Sequence, residues 1–450
     1  MTSERIRTVT AWTFNLFVAV SLCTPSWRYG PFSWWPLWTF EELAGGPMGL
    51  GLLNVLPLLV VLGWLAARRR QKWFLGRFVA TVPLAVLTIW GVLRIDWANL
   101  RLAFIYVGAF GLAWFVYLYV LNEAPPLAPA LVAVLIVQGI VATGQFALQR
   151  DLGLVFMGEL PLNPLFEGVT VLDARGQPWL RAYGLTAHPN LLGAMVAALL
   201  LFLLPYLLRA RGMRRALFLI AATAGLLALF FSFSRAAWLG FAVGLTVWFW
   251  LYRHPLQHRE WTARRAARYL LPLLLVIFLL LAYQDLVLSR FIDLDRPLEA
   301  RSIEQRLADA ERALRLFAEQ PLLGAGLGYF VDAASAYDAE ASRVHNVPLL
   351  AAAELGVVGL LAVLALLIGP LLEPAYRLWR GQAEGHSARV TLAQWLGPWL
   401  LMVLVNQLDT TLWLTGNWQT AILFGLIVAG AALPLNSWLT SEAPSEHTQT

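Results

Sequence analysis

Long apolar blocks recur from one end of this 450-residue chain to the other, separated by polar stretches. They fall near 9–23, 47–67, 75–93, 101–121, 127–148, 189–208, 216–233, 236–252, 270–283, 347–369, 392–412 and 417–434. Roughly 20 apolar residues in helical form cross the ~30 Å hydrocarbon core of a bilayer, and most of the blocks approach that length. The pattern predicts an all-α, polytopic integral membrane protein with about twelve transmembrane helices, forming one helical domain over 1–440. The block at 270–283 is short and is expected to extend into its flanks. The polar ending S-E-A-P-S-E-H-T-Q-T (441–450) reads as a disordered tail. Arg5 and Arg7 ahead of the first block imitate a signal peptide. No small-residue cleavage site follows, so the block is expected to be a retained first helix.

Three longer polar segments remain, at 24–46, 149–187 and 284–346, the last with more acidic than basic side chains. Within it, 301–319 places Ile303, Leu307, Ala310, Leu314 and Phe317 on one stripe at helical spacing. That spacing predicts an amphipathic helix, lying on the membrane surface or lidding a cavity, which Pro321 and the run G-A-G-L-G (324–328) then break.

Composition agrees: 59% of residues are hydrophobic and 13% charged. A soluble chain carries roughly twice that charged fraction. The pI near 9.7 does not point to nucleic acid, because the basic residues gather in short loops. One cluster is Arg68-Arg69-Arg70 with Lys72, a second is Arg209, Arg211, Arg214 and Arg215, and a third runs from Arg253 to Arg268. Threading the blocks alternately puts all three on one side together with both termini. The positive-inside rule makes that side cytoplasmic and leaves the three polar segments outside. The single cysteine, Cys23, excludes an intramolecular disulfide framework and carries no metal-site signature. There is no Gly-rich phosphate loop in a strand–helix setting, no internal repeat and no soluble domain of useful size. No cofactor is implied.

Polar groups with chemical potential collect at helix ends on the outer side. R-A-Y-G-L-T-A-H-P-N (181–190) brings Arg181, His188 and Asn190 to the start of the sixth block, with Pro189 suited to a first helical turn. F-S-F-S-R-A-A-W (231–238) sets Ser234 and Arg235 between two closely spaced blocks, and His345-Asn346 end the long loop as the tenth block begins. Each has a plain reading beside the chemical one. Arg235 serves equally as an interfacial anchor, His188 as a turn or helix-start residue, and His345 as an interfacial polar group. Arg301, Arg312 and Arg315 fall on the polar side of the surface helix, where solvation is their default. Arg306 lies at the edge of the apolar stripe and is able to face inward.

Taken together these groups suit a lipid-linked phosphate. Guanidinium forks bind phosphate oxygens bidentately and stay charged. A helix N-terminus such as the one near Arg235 adds backbone donors. A histidine titrating near neutrality accepts a proton from an attacking hydroxyl. Arginines stabilise a departing diphosphate as a glycosidic bond breaks, the work magnesium does in many phosphate-leaving reactions.

Four motifs, in this order, resemble those of the O-antigen ligase and polymerase superfamily of bacterial envelope enzymes. They are R-A-Y-G-L-T-A-H-P-N, the S-R-A-A-W-L-G start of the eighth block, R-L-A-D-A-E-R-A-L-R-L-F-A-E-Q-P-L-L-G-A-G-L-G-Y-F (306–330), and H-N-V-P-L-L-A-A-A-E-L-G-V-V-G-L-L. They run from about 181 to 361 and are specific as a set. The resemblance implies transfer of a glycan from an undecaprenyl diphosphate carrier to an acceptor hydroxyl on the periplasmic face of the bacterial inner membrane. It also implies metal independence and inversion at the anomeric carbon. Residue by residue, His345 matches the essential loop histidine, the base. Arg181 and Arg306 match the diphosphate-binding arginines, and Arg235 fits the S-R pair. His188, Asn190 and Asn346 stand as supporting residues. One departure is Ala310, where relatives often carry tryptophan, which bears on helix packing rather than chemistry. The acceptor is lipid A-core or another glycan. A ligase is the first reading and a polymerase for O-antigen or exopolysaccharide the second. A small-anion transporter is the alternative of another class; it predicts charged or broken helices at mid-membrane in matching halves.

Overall fold

The structure, a computed structural model, describes residues 3–24, 49–68, 73–174, 176–257, 274–290, 297–339, 341–380, 386–414 and 417–433. Each apolar block carries a helix. They are α1 (Ser3–Leu22), α2 (Gly49–Ala67), α3 (Phe78–Leu93), α4 (Leu100–Glu123), α5 (Ala128–Leu148), α6 (Pro189–Arg209), α7 (Gly212–Phe231), α8 (Arg235–Gln257) and α9 over 274–282. There follow α10 (Gln284–Ser289), α11 (Pro297–Glu319), α12 (Phe330–Ser335), α13 (Val347–Trp379), α14 (His386–Leu408) and α15 (Trp418–Ala432). Among the described residues, five helices are long and apolar enough to cross a bilayer: 102–123, 128–148, 189–209, 212–231 and 347–376. Most of 24–46, Arg69, Arg70, Lys72, much of 253–268 and the tail 441–450 lie outside the described residues.

The helices pack by backbone proximity. α15 is buried at every residue and α6 at nearly every residue, so these two form the inside of the bundle. α14 runs along α8, and the two cross where Gly244 faces Gly397; a Cβ on Gly244 would stand 2.8 Å from the Gly397 carbonyl oxygen. Hydrocarbon supplies no hydrophobic drive between helices, so small residues that let backbones meet are what hold them. Trp12 on α1, Leu58, Leu62 and Leu65 on α2, and Ile89 and Leu93 on α3 are exposed. An apolar rim of this kind is what a bilayer covers.

Three features depart from or sharpen the sequence-based expectations. The segment 149–187 contains an antiparallel hairpin, β1 (Val171–Ala174) with β2 (Gln177–Leu180), too short for its pattern to stand out. α11 turns part of the apolar stripe away from the protein, Leu307 and Leu314 being 68% and 54% exposed, whereas Asp309, Ala313 and Leu316 face inward. The inward side of this helix carries Asp309 with its polar partners, while Leu307 and Leu314 face away from the protein. Arg312, expected in solvent, is half-buried and paired with Asp309 and Asp338. The side chain of Arg301 lies outside the described residues; Arg315 is exposed as expected, paired to Glu319 and stacked on Tyr337.

α13 is broken at Gly356, whose φ of 65° lies in the left-handed region glycine tolerates. The break frees carbonyls that a helix would otherwise use, and neighbours satisfy them. Ala325 donates to the Ala353 carbonyl (2.8 Å), Gly326 to that of Glu354 (2.9 Å), and the Trp90 indole to that of Leu355 (2.8 Å). A Cβ on Gly356 would come within 2.4 Å of the Leu322 carbonyl oxygen, so the loop 321–328 seats directly in the break. Arg94, just past α3, donates to the carbonyls of Leu323 and Gly324 and accepts from Leu327. This seat anchors the end of α11 to α3 and α13.

Candidate active site

The sequence 181–190 folds as predicted around Pro189 at the first turn of α6, with His188 as the N-cap: its Nδ1 accepts the Asn190 amide (3.1 Å). A chain of buried side chains starts one step earlier. Arg181 is 3% exposed; its Nε donates to the Ser232 carbonyl (2.8 Å) and its Nη2 to Asn190 Oδ1 (2.6 Å). Asn190 in turn donates through Nδ2 to Asp409 Oδ2 (2.6 Å), beyond the end of α14. Asp409 is itself buried and caps the Thr410 amide through Oδ1. A buried carboxylate and a buried guanidinium are thereby joined through one amide, which answers the cost of burying either. The Ala182 amide donates to the Phe231 carbonyl, which joins the segment 181–190 to the end of α7, just before the turn into α8.

The His345 end approaches the same place from another direction. Asn346 caps α13 by accepting the Leu349 amide (2.9 Å) and donates to the Gln407 carbonyl (3.2 Å), two residues from Asp409. The charges of Asp409 and Arg306 act on both His188 and His345, and His345 also acts on His188. Helix starts of α6 and α13, the end of α14 and the middle of α11 therefore meet at one end of the bundle. Arg306 is half-buried and has no hydrogen-bond or ion-pair partner among the described residues. His345 Nδ1 is buried without a hydrogen-bond partner among the described residues.

Burial dominates the electrostatics of both histidines. His188 keeps some accessible surface, yet its imidazole is lodged among protein groups beside Tyr183; loss of water, then the Arg181 charge, pushes its pKa down to about 4. His345 is also held below the usual imidazole value, first by burial, with Asp409 pulling the other way and Arg306 adding to the depression. Both are accordingly neutral near pH 7, the form that accepts a proton.

Of the residues singled out in the sequence, the structure brings Arg181, His188, Asn190, Arg306, His345 and Asn346 to this end of the bundle. Arg235 opens α8, and its Nη1 donates to the Arg290 carbonyl (2.9 Å). Asp409 and Arg343, whose charge also reaches His345, are the residues that sequence reasoning missed. The only cue for Asp409 was a carboxylate at the end of an apolar block, in D-T-T-L-W.

An apolar helical bundle with a buried cation–carboxylate chain and two neutral histidines at one end defines an integral membrane protein that gathers ionisable groups at its helix ends. A family model described as O-Antigen ligase matches residues 220–364, about a third of the chain, and includes Arg235, Arg306 and His345. Over that stretch the chain is similar to the O-antigen ligase superfamily, which supports a membrane enzyme of the ligase or polymerase type. No curated protein matches the chain.

Proposed function

We propose that this protein is a glycosyltransferase that moves a glycan from undecaprenyl diphosphate to an acceptor hydroxyl at the periplasmic face of the bacterial inner membrane. The observation that carries the reading is Arg306: a half-buried guanidinium without a hydrogen-bond or ion-pair partner among the described residues, whose charge reaches both His345 and His188. A cation left uncompensated beside a neutral base fits a substrate that supplies the anion. His345 takes the proton of the acceptor hydroxyl, whose oxygen attacks the anomeric carbon from the side opposite the diphosphate. The bond from that carbon to the diphosphate oxygen breaks, and the lipid diphosphate departs with its charge held by Arg306 and by the fixed charge of Arg181. The outcome is inversion, with the arginines doing the work of a metal. Arg235 is kept as a third, more distant cation of the leaving group.

The outward placement follows from threading about twelve spans, with the basic clusters on the cytoplasmic side and 284–346 as the extracytoplasmic loop. Leu307 and Leu314 then meet the outer leaflet, beside which a polyprenyl carrier would lie. The acceptor proposed is lipid A-core or a similar glycan. Reconstitution in liposomes with an undecaprenyl-diphosphate glycan and alternative acceptors tests it. A lipid A-core conjugate supports the ligase, a lengthened glycan supports a polymerase, and solute uptake without any lipid-linked sugar supports a transporter instead. His345→Ala is expected to accumulate in the membrane yet lose transfer by about 10³-fold, within the range for removing a general base. Wild-type rates in that variant remove His345 from the mechanism.

A further inference from the structure

Asp309 lies on α11 one turn beyond Arg306 and is fully buried. Helical patterning alone would put an apolar side chain there, beside Ala313 and Leu316. Instead its Oδ1 accepts the Ser342 amide (3.1 Å) and Arg312 Nη1 (2.6 Å), and its Oδ2 accepts the Ser342 hydroxyl (2.6 Å). Arg312 also pairs with Asp338, so α11 grips the segment 338–342 at two points. Ser342 is three residues before His345. A well-packed apolar residue at this depth would be as stable as a buried ion pair or more so, which makes general stability a poor reason for the carboxylate. Its donors come from two elements, and those two elements carry Arg306 and His345.

We propose that Asp309 is a positioning residue for glycan transfer: it ties the His345-bearing segment to the helix that carries Arg306, and so sets the separation of proton acceptor and diphosphate ligand. The inference rests on the function proposed above, and it assigns Asp309 no contact with substrate. It acts through Ser342 and the backbone that leads to His345. Misplacement of a reacting group by about 1 Å is enough to cost ~10²-fold in rate, so a tether of this kind has a measurable effect.

Charge gives a second consequence. The charged groups acting on His345 are Asp409 after α14, Arg306 and Asp309 on α11, and Arg343 on its own segment; His345 in turn acts on His188 at the start of α6. Asp309 favours the protonated imidazole; neutralising it lowers the proton affinity of His345. With His345 as base, the acid limb of the kcat/KM profile then moves to lower pH.

The test uses the full-length protein in liposomes with an undecaprenyl-diphosphate glycan. Asp309→Asn is expected to lower kcat at least about 10-fold with donor KM within about 2-fold, and to shift the acid limb downward. Asp309→Glu keeps the charge at a longer reach, so its limb stays at the wild-type position while kcat falls. A distance measured by pulsed electron resonance between spin labels at Glu311→Cys and Arg343→Cys, both exposed sites, is expected to broaden in Asp309→Asn. Wild-type kcat and limb in that variant, or an unchanged distance distribution, overturn the proposal. Should Asp309→Asn fail to accumulate, Ser342→Ala removes the hydroxyl bond alone; a broadened distance and a loss of about 3-fold support the tether, and no change in either overturns it. If the unmutated protein transfers no glycan but the distance still broadens, the function falls and the tether stands.

Discussion

The two arginines proposed to face the diphosphate live under opposite conditions. Arg181 is buried, with Nε and one amino group committed to Ser232 and Asn190 and its charge answered by Asp409 through Asn190. Arg306, on a helix that crosses the end of the bundle, is half-buried and unpaired among the described residues. The first is part of the scaffold, its position settled before any substrate arrives. The second is held in place by its helix but not by a partner, so an arriving anion displaces nothing. Preorganised charge and available charge are both needed when a diphosphate must be bound and then stabilised as it leaves.

Mutation of the two should therefore separate catalysis from stability. Arg306→Ala is expected to lower glycan transfer by about 10²-fold or more with little change in melting temperature, and Arg306→Lys to recover little of it, because an ammonium lacks the fork. An unaffected rate would place Arg306 among the merely solvated arginines of α11. Arg181→Ala should lose transfer as well, but with a clear drop in melting temperature, since it strands the Ser232 carbonyl, Asn190 and the Asp409 charge in a buried setting. Equal melting temperatures for the two variants would erase the distinction drawn here.

The smallest expected effect is on pH dependence. Because burial lowers the proton affinity of His345, the acid limb of transfer should lie below the ordinary imidazole value near 6.5. His188, at about 4, should remain neutral through that range and contribute to stability instead. Its folded pKa lies below the unfolded value, so the unfolded chain takes up a proton first. Stability should fall as pH drops from about 6.5 towards 4 and level off below that window. A melting temperature that holds constant across it in wild type, or a His188→Asn variant showing the same loss, would count against this account.

Much of the architecture was legible along the chain because membrane helices announce themselves by length and hydropathy. Each apolar block carries a helix, and Pro189 and His345 stand at helix starts where their neighbours said they would. The misses share a cause. The stripe through Leu307 and Leu314 stays open between a membrane surface and a cavity lid because apolar periodicity cannot say whether a face meets protein or lipid. Arg312 was assigned to solvent because its partners are Asp309, one turn away, and Asp338, in another segment. Asp409 stayed invisible because its partner Asn190 is 219 positions away. Arg235 matched its motif in sequence, and only the structure shows its Nη1 donating to the Arg290 carbonyl.

Hydropathy and residue order alone locate the apolar helices, put the chain in a membrane, and set particular arginines and histidines at helix ends. Local composition and spacing suffice for these, since they depend on each segment's own affinity for hydrocarbon and on its own capping residues. Only the tertiary structure decided which of those ends meet. The break at Gly356 that receives 321–328, the Arg181–Asn190–Asp409 chain and the grip of Asp309 on Ser342 all join groups from separate helices. A buried polar group needs a partner wherever the fold can bring one, and sequence distance has no bearing on that.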